Sequence, residues 1–355
     1  MAVAERLSLD VPPKQIIPSM NIRLSNSKKA AWPDAHWSID ADPDPVLGIT
    51  GNSWTTMRAA QHNLIYDVGA HKGEDTEFYL KKGFSVVAIE ANPALYLALA
   101  KKFEEFINNG RLVLLNLAIS DHSDEVTLFV SDKSDWGTTD PEWAKRNQGL
   151  GFPSRPISVK SERFETILQR HGIPYFLKVD IEGADLLCLH ALKGFDLKPK
   201  FVSIESDKVS WKKLNTELSV LQSLGYSRFK AVNQGYVPHQ QQPNPPREGV
   251  FVSHGFEEGS SGLFGEEAPG LWMSRAIVTV KYCLIFARYR LFGDNTFGSR
   301  ILLKLSKQFP PCLRLRPSWY DTHAKLQHDP EKWIPVFPRD KRGTRLRGDH
   351  AQSKI

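Results

Sequence analysis

Short apolar runs alternate with amphipathic stretches through the middle of the chain, between residues 61 and 255. The apolar runs have the length of buried parallel strands, and several end at a polar residue or lead into a glycine. The stretches between them have helical spacing, and Gly83 and Gly225 end two of them. The predicted strands cover residues 64–68, 86–90, 112–119, 175–180, 201–205, 228–232 and 249–253.

This alternation predicts an α/β fold of the Rossmann-like type, with a mostly parallel sheet and helices on both faces. Residues 1–60 show no persistent periodicity and are expected to form an irregular N-terminal arm. Residues 61–255 are expected to form the folded domain, and residues 256–355 a basic C-terminal extension.

The net charge of +6 is concentrated at one end of the chain. Residues 296–355 hold thirteen Lys and Arg residues against five Asp and Glu residues, so the rest of the chain is slightly acidic. This arm is either a solvated tail or a contact for an anionic membrane or a glycolipid. Nucleic acid is not an expected partner, because aromatic and basic residues do not interleave and no known nucleic-acid-binding module is present.

The remaining composition points to a cytoplasmic protein. The three cysteines form no Cys-x-x-Cys motif, which suits a reducing compartment, and the N-terminus lacks the apolar run of a signal peptide. The longest apolar stretch, residues 276–292, is too short and too charged to span a bilayer.

A glycine-containing loop follows the first predicted strand, with the sequence Asp-Val-Gly-Ala-His-Lys-Gly at residues 67–73. Glycine lets a backbone approach a ligand closely, and the helix that follows offers free N–H groups, although glycines can also serve packing alone. Glu90 ends the second predicted strand, where a carboxylate can accept two hydrogen bonds from a ribose diol. Together these features indicate a site for an adenosine ligand.

The loop distinguishes two classes of adenosine ligand. Loops that bind NAD usually have a second glycine where this chain has His71, because that glycine admits the pyrophosphate. An NAD-dependent enzyme is therefore the weaker alternative. Asp67 suits a cationic ligand with an amino group, which favours S-adenosylmethionine.

Three segments, residues 67–73, 87–93 and 177–185, resemble the FkbM family of methyltransferases, and residues 201–205 and 229–234 fit the same pattern. The resemblance covers about residues 61–255. It implies a class I methyltransferase fold and S-adenosylmethionine as the methyl donor. It also implies O-methylation of a hydroxyl group on a sugar, a glycolipid or a secondary metabolite.

The resemblance also assigns roles to residues of the donor site. Asp67, Gly69 and Gly73 would hold the amino-acid end of the donor, Glu90 the ribose, and Leu117 and Ala118 the adenine. Their neighbours Ala70, His71 and Ala91 would complete the site, although His71 could instead be a hydrogen-bonded spectator.

An acidic pair, Asp180 and Glu182, lies at the end of the fourth predicted strand, and Glu205 and Asp207 have the same spacing at the end of the next strand. One of these carboxylates, Asp180 first, could act as the general base, or several together could bind Mg²⁺; the metal-free version is favoured. The alternative is that Asp180 or Glu182 caps the following helix, and Lys178 is expected to neutralise Asp180.

A different class of function also remains open. A carbohydrate-binding or partner-binding protein could keep this fold and donor pocket without turnover. The presence of both Glu90 and Asp180 favours the enzyme with a small-molecule or glycan acceptor.

Overall fold

The computed structural model describes residues 61–131, 137–149, 151–181, 183–206, 210–257, 259–292 and 319–326. The strands in these ranges are β1 (Gln61–Val68), β2 (Ser85–Ile89), β3 (Leu112–Leu115), β4 (Ala118–Ile119), β5 (Glu125–Ser131), β6 (Gly137–Thr138), β7 (Ser154–Glu162), β8 (Pro174–Val179), β9 (Phe201–Glu205), β10 (Tyr226–Asn233) and β11 (Tyr320–Leu326). The helices are α1 (Glu74–Lys81), α2 (Pro93–Lys102), α3 (Glu104–Asn108), α4 (Pro141–Gly149), α5 (Phe164–His171), α6 (Asp185–Ala191), α7 (Trp211–Ser223) and α8 (Arg275–Phe292).

Seven strands form the central sheet, in the order β3-β2-β1-β8-β9-β11-β10. The pairs from β3 to β9 are all parallel, and β11 is antiparallel to both of its neighbours. The predicted Rossmann-like, mostly parallel sheet is confirmed. The chain reverses its direction of travel across the sheet between β1 and β8, which makes their carboxyl ends the expected ligand crevice.

Apolar side chains cover both faces of this sheet. On one face, residues of α5, α6, α7 and α8 pack against the strands, with Tyr282 and Val278 of α8 fully buried. On the other face, α1 and α2 cover the β1–β2 side, while Phe256 and Phe264 come from a segment with little regular structure, residues 240–272. Helices therefore lie on both faces, but the segment 240–272 replaces a helix over part of the second face.

The seventh strand of the sheet is not the one that the sequence predicts. Residues 249–253 do not form a strand. The place next to β10 is taken instead by β11, from within the segment expected to be an extension. Thr322 and Ala324 of β11 are fully buried, so residues 320–326 are part of the sheet core.

A smaller four-stranded sheet, ordered β4-β7-β5-β6, is inserted between β3 and β8. The sequence predicts one strand over residues 112–119, but the chain leaves β3 after Leu115, and β4 pairs with β7. Among the helices that the structure describes, none has both the length and the apolar character needed to cross a bilayer.

Candidate active site

The loops after β1 and β8 meet at the ligand crevice. The backbone N–H of Asp180 donates to the carbonyl oxygen of Val68 at 2.9 Å, which holds the two strand ends together. Gly69 has a φ of +85°, and a Cβ added there would lie 2.0 Å from the carbonyl oxygen of Asp180. Glycine at position 69 is therefore required for the close approach of these two loops.

The glycine at the end of the loop has a different neighbour. Gly73 has a φ of +76°, and a Cβ there would lie 2.6 Å from Leu99 and 2.5 Å from Phe103. The first turn of α1 thus sits directly against α2. The backbone of His71 also has a left-handed conformation, with a φ of +51°, which is uncommon for a residue other than glycine.

Most of the N–H groups in this loop have partners within the protein. Those of Gly69 and Ala70 both donate to a carbonyl oxygen at the end of β2, each at 3.0 Å, and that of Gly73 closes a turn at 2.7 Å. The N–H of His71 donates to the carboxylate of Glu90 at 2.8 Å. A pyrophosphate site needs such groups free, so the loop geometry disfavours a dinucleotide.

Glu90 lies directly after β2, as predicted, and only 8% of its surface is exposed. One carboxylate oxygen accepts the N–H of His71 and the other accepts the N–H of Asn92, both at 2.8 Å. Burial raises the pKa of this carboxyl group, and the two N–H bonds oppose that rise. An ionised carboxylate has about four lone-pair positions, so a diol could still be accepted.

The predicted adenine neighbours lie beside the end of β2. The side chain of Asn116 donates to the carbonyl oxygen of Glu90 at 2.8 Å, which ties the end of β3 to the end of β2. Ala118 is buried, and the half-buried Ala91 packs against its cluster, while Leu117 is half-buried. Contact of these residues with adenine stays a prediction.

Asp67 is fully buried, and its two carboxylate oxygens accept from Lys178 Nζ at 3.0 Å and from Thr76 Oγ1 at 2.6 Å. These bonds tie the start of the loop to α1 and β8. Contact of Asp67 with the donor stays a prediction.

Lys178 is the centre of a buried charge cluster. Its ammonium lies 3.0 Å from Asp67, 3.4 Å from Asp75 and 3.9 Å from Asp180. Burial alone would lower the pKa of Lys178, but these three carboxylates outweigh it and raise that pKa well above its usual value. Lys178 therefore pairs with Asp180, as predicted, but it lies closer to Asp67 and Asp75, and one ammonium is shared among the three carboxylates.

Asp75 connects this cluster to the irregular segment on the same face. Both of its carboxylate oxygens accept from the backbone N–H of Ser261, at 2.9 and 3.0 Å. Burial raises the pKa of Asp75 to about 6, although Lys178 opposes the rise.

Asp180 reaches the surface of the crevice, with its side chain 40% exposed. It is not the cap of α6, because Ala184 holds that position without a side-chain hydrogen bond. The turn into α6 is ordered by Asp185, whose carboxylate accepts from Ile181 and Gly183 at 3.2 and 3.3 Å. Glu182, the second predicted catalytic residue, lies outside the described residues.

A further carboxylate, Asp321 of β11, lies at the same edge. It is in register with Glu205 of β9 and is only 7% exposed. Burial, followed by the nearby charge of Asp180, raises the pKa of Asp321 well above its usual value. Within the part of the chain that the structure describes, no group of three or more acidic, histidine or cysteine residues is arranged to hold a metal ion.

A family model for the methyltransferase FkbM domain matches residues 67–228, and over these residues the chain is similar to that family. The loop after β1, Glu90, Lys178 and Asp180 all lie within the matched residues. Ser261 and Asp321 lie beyond their end, so groups from outside the match contribute to the surroundings of the site.

Solved structures also match, at low similarity. A precorrin-6y C5,15-methyltransferase from Geobacter metallireducens is 13% identical, over 56% of this chain and 78% of its own, with a TM-score of 0.29. A putative sarcosine dimethylglycine methyltransferase from Galdieria sulphuraria is 10% identical, over 76% and 80%, with a TM-score of 0.32. A methyltransferase from Thiobacillus denitrificans, in complex with S-adenosyl-L-homocysteine, is 8% identical, over 76% and 87%, with a TM-score of 0.29. No curated protein matches the chain.

Sequence reasoning missed four of the polar groups around the candidate site: Asp75, Asp185, Ser261 and Asp321. Asp75 did leave a signal, because it shares the buried face of α1 with Phe78 and Tyr79 at helical spacing. Ser261 and Asp321 left none, since they reach the site only through long-range folding.

Proposed function

We propose that the FkbM domain transfers a methyl group from S-adenosylmethionine to a hydroxyl group of a sugar, a glycolipid or a secondary metabolite. The observation that carries this proposal is the environment of Glu90. Its carboxylate is fixed by two backbone N–H groups at the end of β2 and retains lone pairs for a ribose diol. The FkbM match over residues 67–228 supports the same chemistry.

The loop supports a donor without a pyrophosphate. Gly69, Ala70, His71 and Gly73 all use their N–H groups within the protein, so they offer no nest for phosphate oxygens. S-adenosylmethionine supplies a methyl group that its sulfonium charge has already activated. The tasks left to the chain are to bind the donor, to hold the acceptor oxygen in line, and to accept a proton.

Asp180 is the group that we assign to the proton. It is exposed at the crevice, and its backbone is locked against the donor loop through Val68 and Gly69. In this role its carboxylate accepts the proton of the acceptor hydroxyl as that oxygen attacks. Lys178 Nζ lies 3.9 Å from this carboxylate and offsets part of its negative charge.

A metal-assisted version uses the same edge of the sheet. Mg²⁺ would need several carboxylate oxygens, and Asp180 and Glu205 are the described candidates at adjacent strand ends. The ammonium of Lys178 already lies among Asp67, Asp75 and Asp180 and would repel a divalent cation beside them. We therefore propose the metal-free version.

The proposal is tested by incubating the full chain with methyl-labelled S-adenosylmethionine and a panel of glycans and small hydroxylated metabolites. Mass spectrometry should show a product that is heavier by one labelled methyl group on oxygen. General-base assistance is typically worth about 10²–10⁴ in rate, so Asp180→Asn should lower kcat by that order. The exposed Asp196→Asn is the matched control and should keep the wild-type kcat.

Two further outcomes sharpen the result. EDTA should leave turnover unchanged, whereas loss of turnover that Mg²⁺ restores would replace the metal-free version with the metal-assisted one. Wild-type turnover by Asp180→Asn would remove its catalytic role. Tight binding of NAD in place of S-adenosylmethionine would overturn the proposed donor.

A further inference from the structure

Helix α8 presents an apolar stripe to solvent. Ile277, Val280 and Leu284 are 57%, 60% and 67% exposed. Their spacing of three and four residues places them on one side of the helix, and the exposed Cys283 and Ala287 continue that side. Single exposed apolar residues are ordinary, but a stripe along an entire helix marks an interaction surface.

The opposite side of α8 fixes the orientation of this stripe. Val278 and Tyr282 are buried in the core, and the hydroxyl of Tyr282 bonds to Ser206 and Thr322 at 2.9 and 2.6 Å. The ammonium of Lys281 donates to a carbonyl oxygen of β10 at 2.7 Å. The helix therefore cannot rotate to bury the stripe without breaking these contacts.

The charged side chains of α8 are all cationic, because the helix contains no Asp or Glu. Of the four cationic residues, Lys281 donates inward to β10 and Arg275 donates to side chains of α7, and the other two are Arg288 and Arg290. The neighbouring helix α7 adds two exposed lysines at its start, while its one carboxylate, Glu217, is buried. Together the pair of helices presents apolar and cationic groups without an exposed carboxylate.

We propose that the exposed face of α8 docks on an anionic lipid surface. An amphipathic helix with apolar and cationic groups lies in the plane of a bilayer, with its apolar side in the headgroup region. Trp211 of α7 is 40% exposed and packs edge-on against Phe286 of α8, with ring centroids 5.4 Å apart, so an amphipathic aromatic ring borders the stripe. This inference concerns a surface outside the candidate active site and does not depend on the proposed reaction.

Flotation of the full chain with lipid vesicles tests the proposal. The wild type should float with vesicles that contain phosphatidylglycerol, and not with pure phosphatidylcholine vesicles. The double variant Val280→Asp/Leu284→Asp should bind the anionic vesicles about tenfold more weakly, or worse, because both changes remove exposed apolar groups from the stripe. Leu97→Asp is the matched control, since Leu97 of α2 is also 67% exposed, and it should bind like the wild type.

A fluorescent label on Cys283 gives a second readout at the stripe itself. Cys188 is buried, and Cys312→Ser removes the remaining cysteine, so an environment-sensitive dye reacts at Cys283. Its emission should shift to the blue with anionic vesicles and not with neutral ones. Circular dichroism of each variant should match the wild type, because the substituted side chains are exposed.

Three outcomes would overturn the proposal. The first is the absence of wild-type binding to anionic vesicles at low salt. The second is unchanged binding by Val280→Asp/Leu284→Asp, which would assign the attraction to the basic residues 296–355 instead. The third is a wild-type dimer that the double variant abolishes, without vesicle binding by either form, which would make a second copy of this chain the occupant.

Discussion

The two ends of the central sheet are assembled in different ways. Strands β3, β2, β1 and β8 come from the run of chain before residue 180, and neighbouring strands along most of that run pair with each other. At the other end, β9 and β10 do not touch. They are joined by β11, which enters antiparallel from residues 320–326. We call the end with β3, β2, β1 and β8 the first end, and its strands are joined by crossover connections. The second end, with β9, β11 and β10, is completed by a strand that returns from much later in the chain.

The first end carries the groups that recognise the donor in our proposal, and the second end supports them. Hydroxyl groups of Ser206, Thr322 and Tyr282 bond to one another where β9, β11 and α8 meet. The nearby charge of Asp180 is, after burial, a cause of the raised pKa of Asp321 in β11. The FkbM match ends at residue 228, within β10, so β11 lies outside the matched residues although it pairs with β10.

Removal of β11 should have the largest effect on stability. Deletion of residues 319–355 leaves β9 and β10 without the strand between them and takes the buried Thr322 and Ala324 out of the core. We expect the cooperative urea transition, followed by circular dichroism and fluorescence, to be lost. Deletion of residues 327–355 keeps β11 and should keep the transition. A cooperative transition in the shorter chain would show that the first end folds alone.

Loss of the Lys178 charge should have the second largest effect on stability. Lys178→Met leaves Asp67 and Asp75 buried without a counter-charge, and removing one partner of a buried ion pair typically costs about 3–5 kcal/mol. The free energy of unfolding in urea measures this loss. Lys160→Met, at an exposed position of β7, is the control and should stay within about 0.5 kcal/mol of the wild type. An unchanged stability for Lys178→Met would show that the first end does not need the charge cluster.

The same contrast explains what the sequence could predict. The strands of the first end, the loop after β1 and the position of Glu90 follow from local patterns, since hydrophobic periodicity and turn residues act over short distances. The position of Asp180 follows from the same patterns, because it lies at the end of the fourth predicted strand. The burial of Asp67 could not be read in this way, because its partner Lys178 comes from a strand more than a hundred residues later.

The second end shows the limit most clearly. β11 has alternating polar residues, Asp321, His323 and Lys325, within a segment whose basic composition suggests a tail. These side chains are accommodated because the neighbouring strands offer polar partners, such as Ser203 Oγ at 3.3 Å from His323 Nε2. A hydrophobicity pattern does not predict such a strand, since its polar side chains find their hydrogen-bond partners only after folding.

The donor site gives the third prediction. Glu90→Ala removes the proposed ribose acceptor, and the loss of two charge-assisted bonds should weaken S-adenosylmethionine binding by about 2–4 kcal/mol in calorimetry. Glu105→Ala, at an exposed position of α3, should leave the donor affinity unchanged. Equal affinities for the wild type and Glu90→Ala would show that Glu90 does not bind the donor.

Two buried tyrosine hydroxyls, one at each end of the sheet, give the smallest effects and the sharpest comparison. Tyr66 of β1 donates to the carbonyl oxygen of Gly172 at 2.8 Å, so Tyr66→Phe leaves a buried carbonyl group without that donor and should cost about 1–3 kcal/mol of unfolding free energy. Tyr282→Phe should cost only about 0.5–1.5 kcal/mol. Ser206 and Thr322 would keep their mutual 2.5 Å bond, so neither hydroxyl would be left unsatisfied. Urea unfolding of both variants measures the difference. A larger loss for Tyr282→Phe would mean that the hydroxyl cluster joining β9, β11 and α8 is cooperative, and that the end built by long-range return is the more tightly coupled of the two.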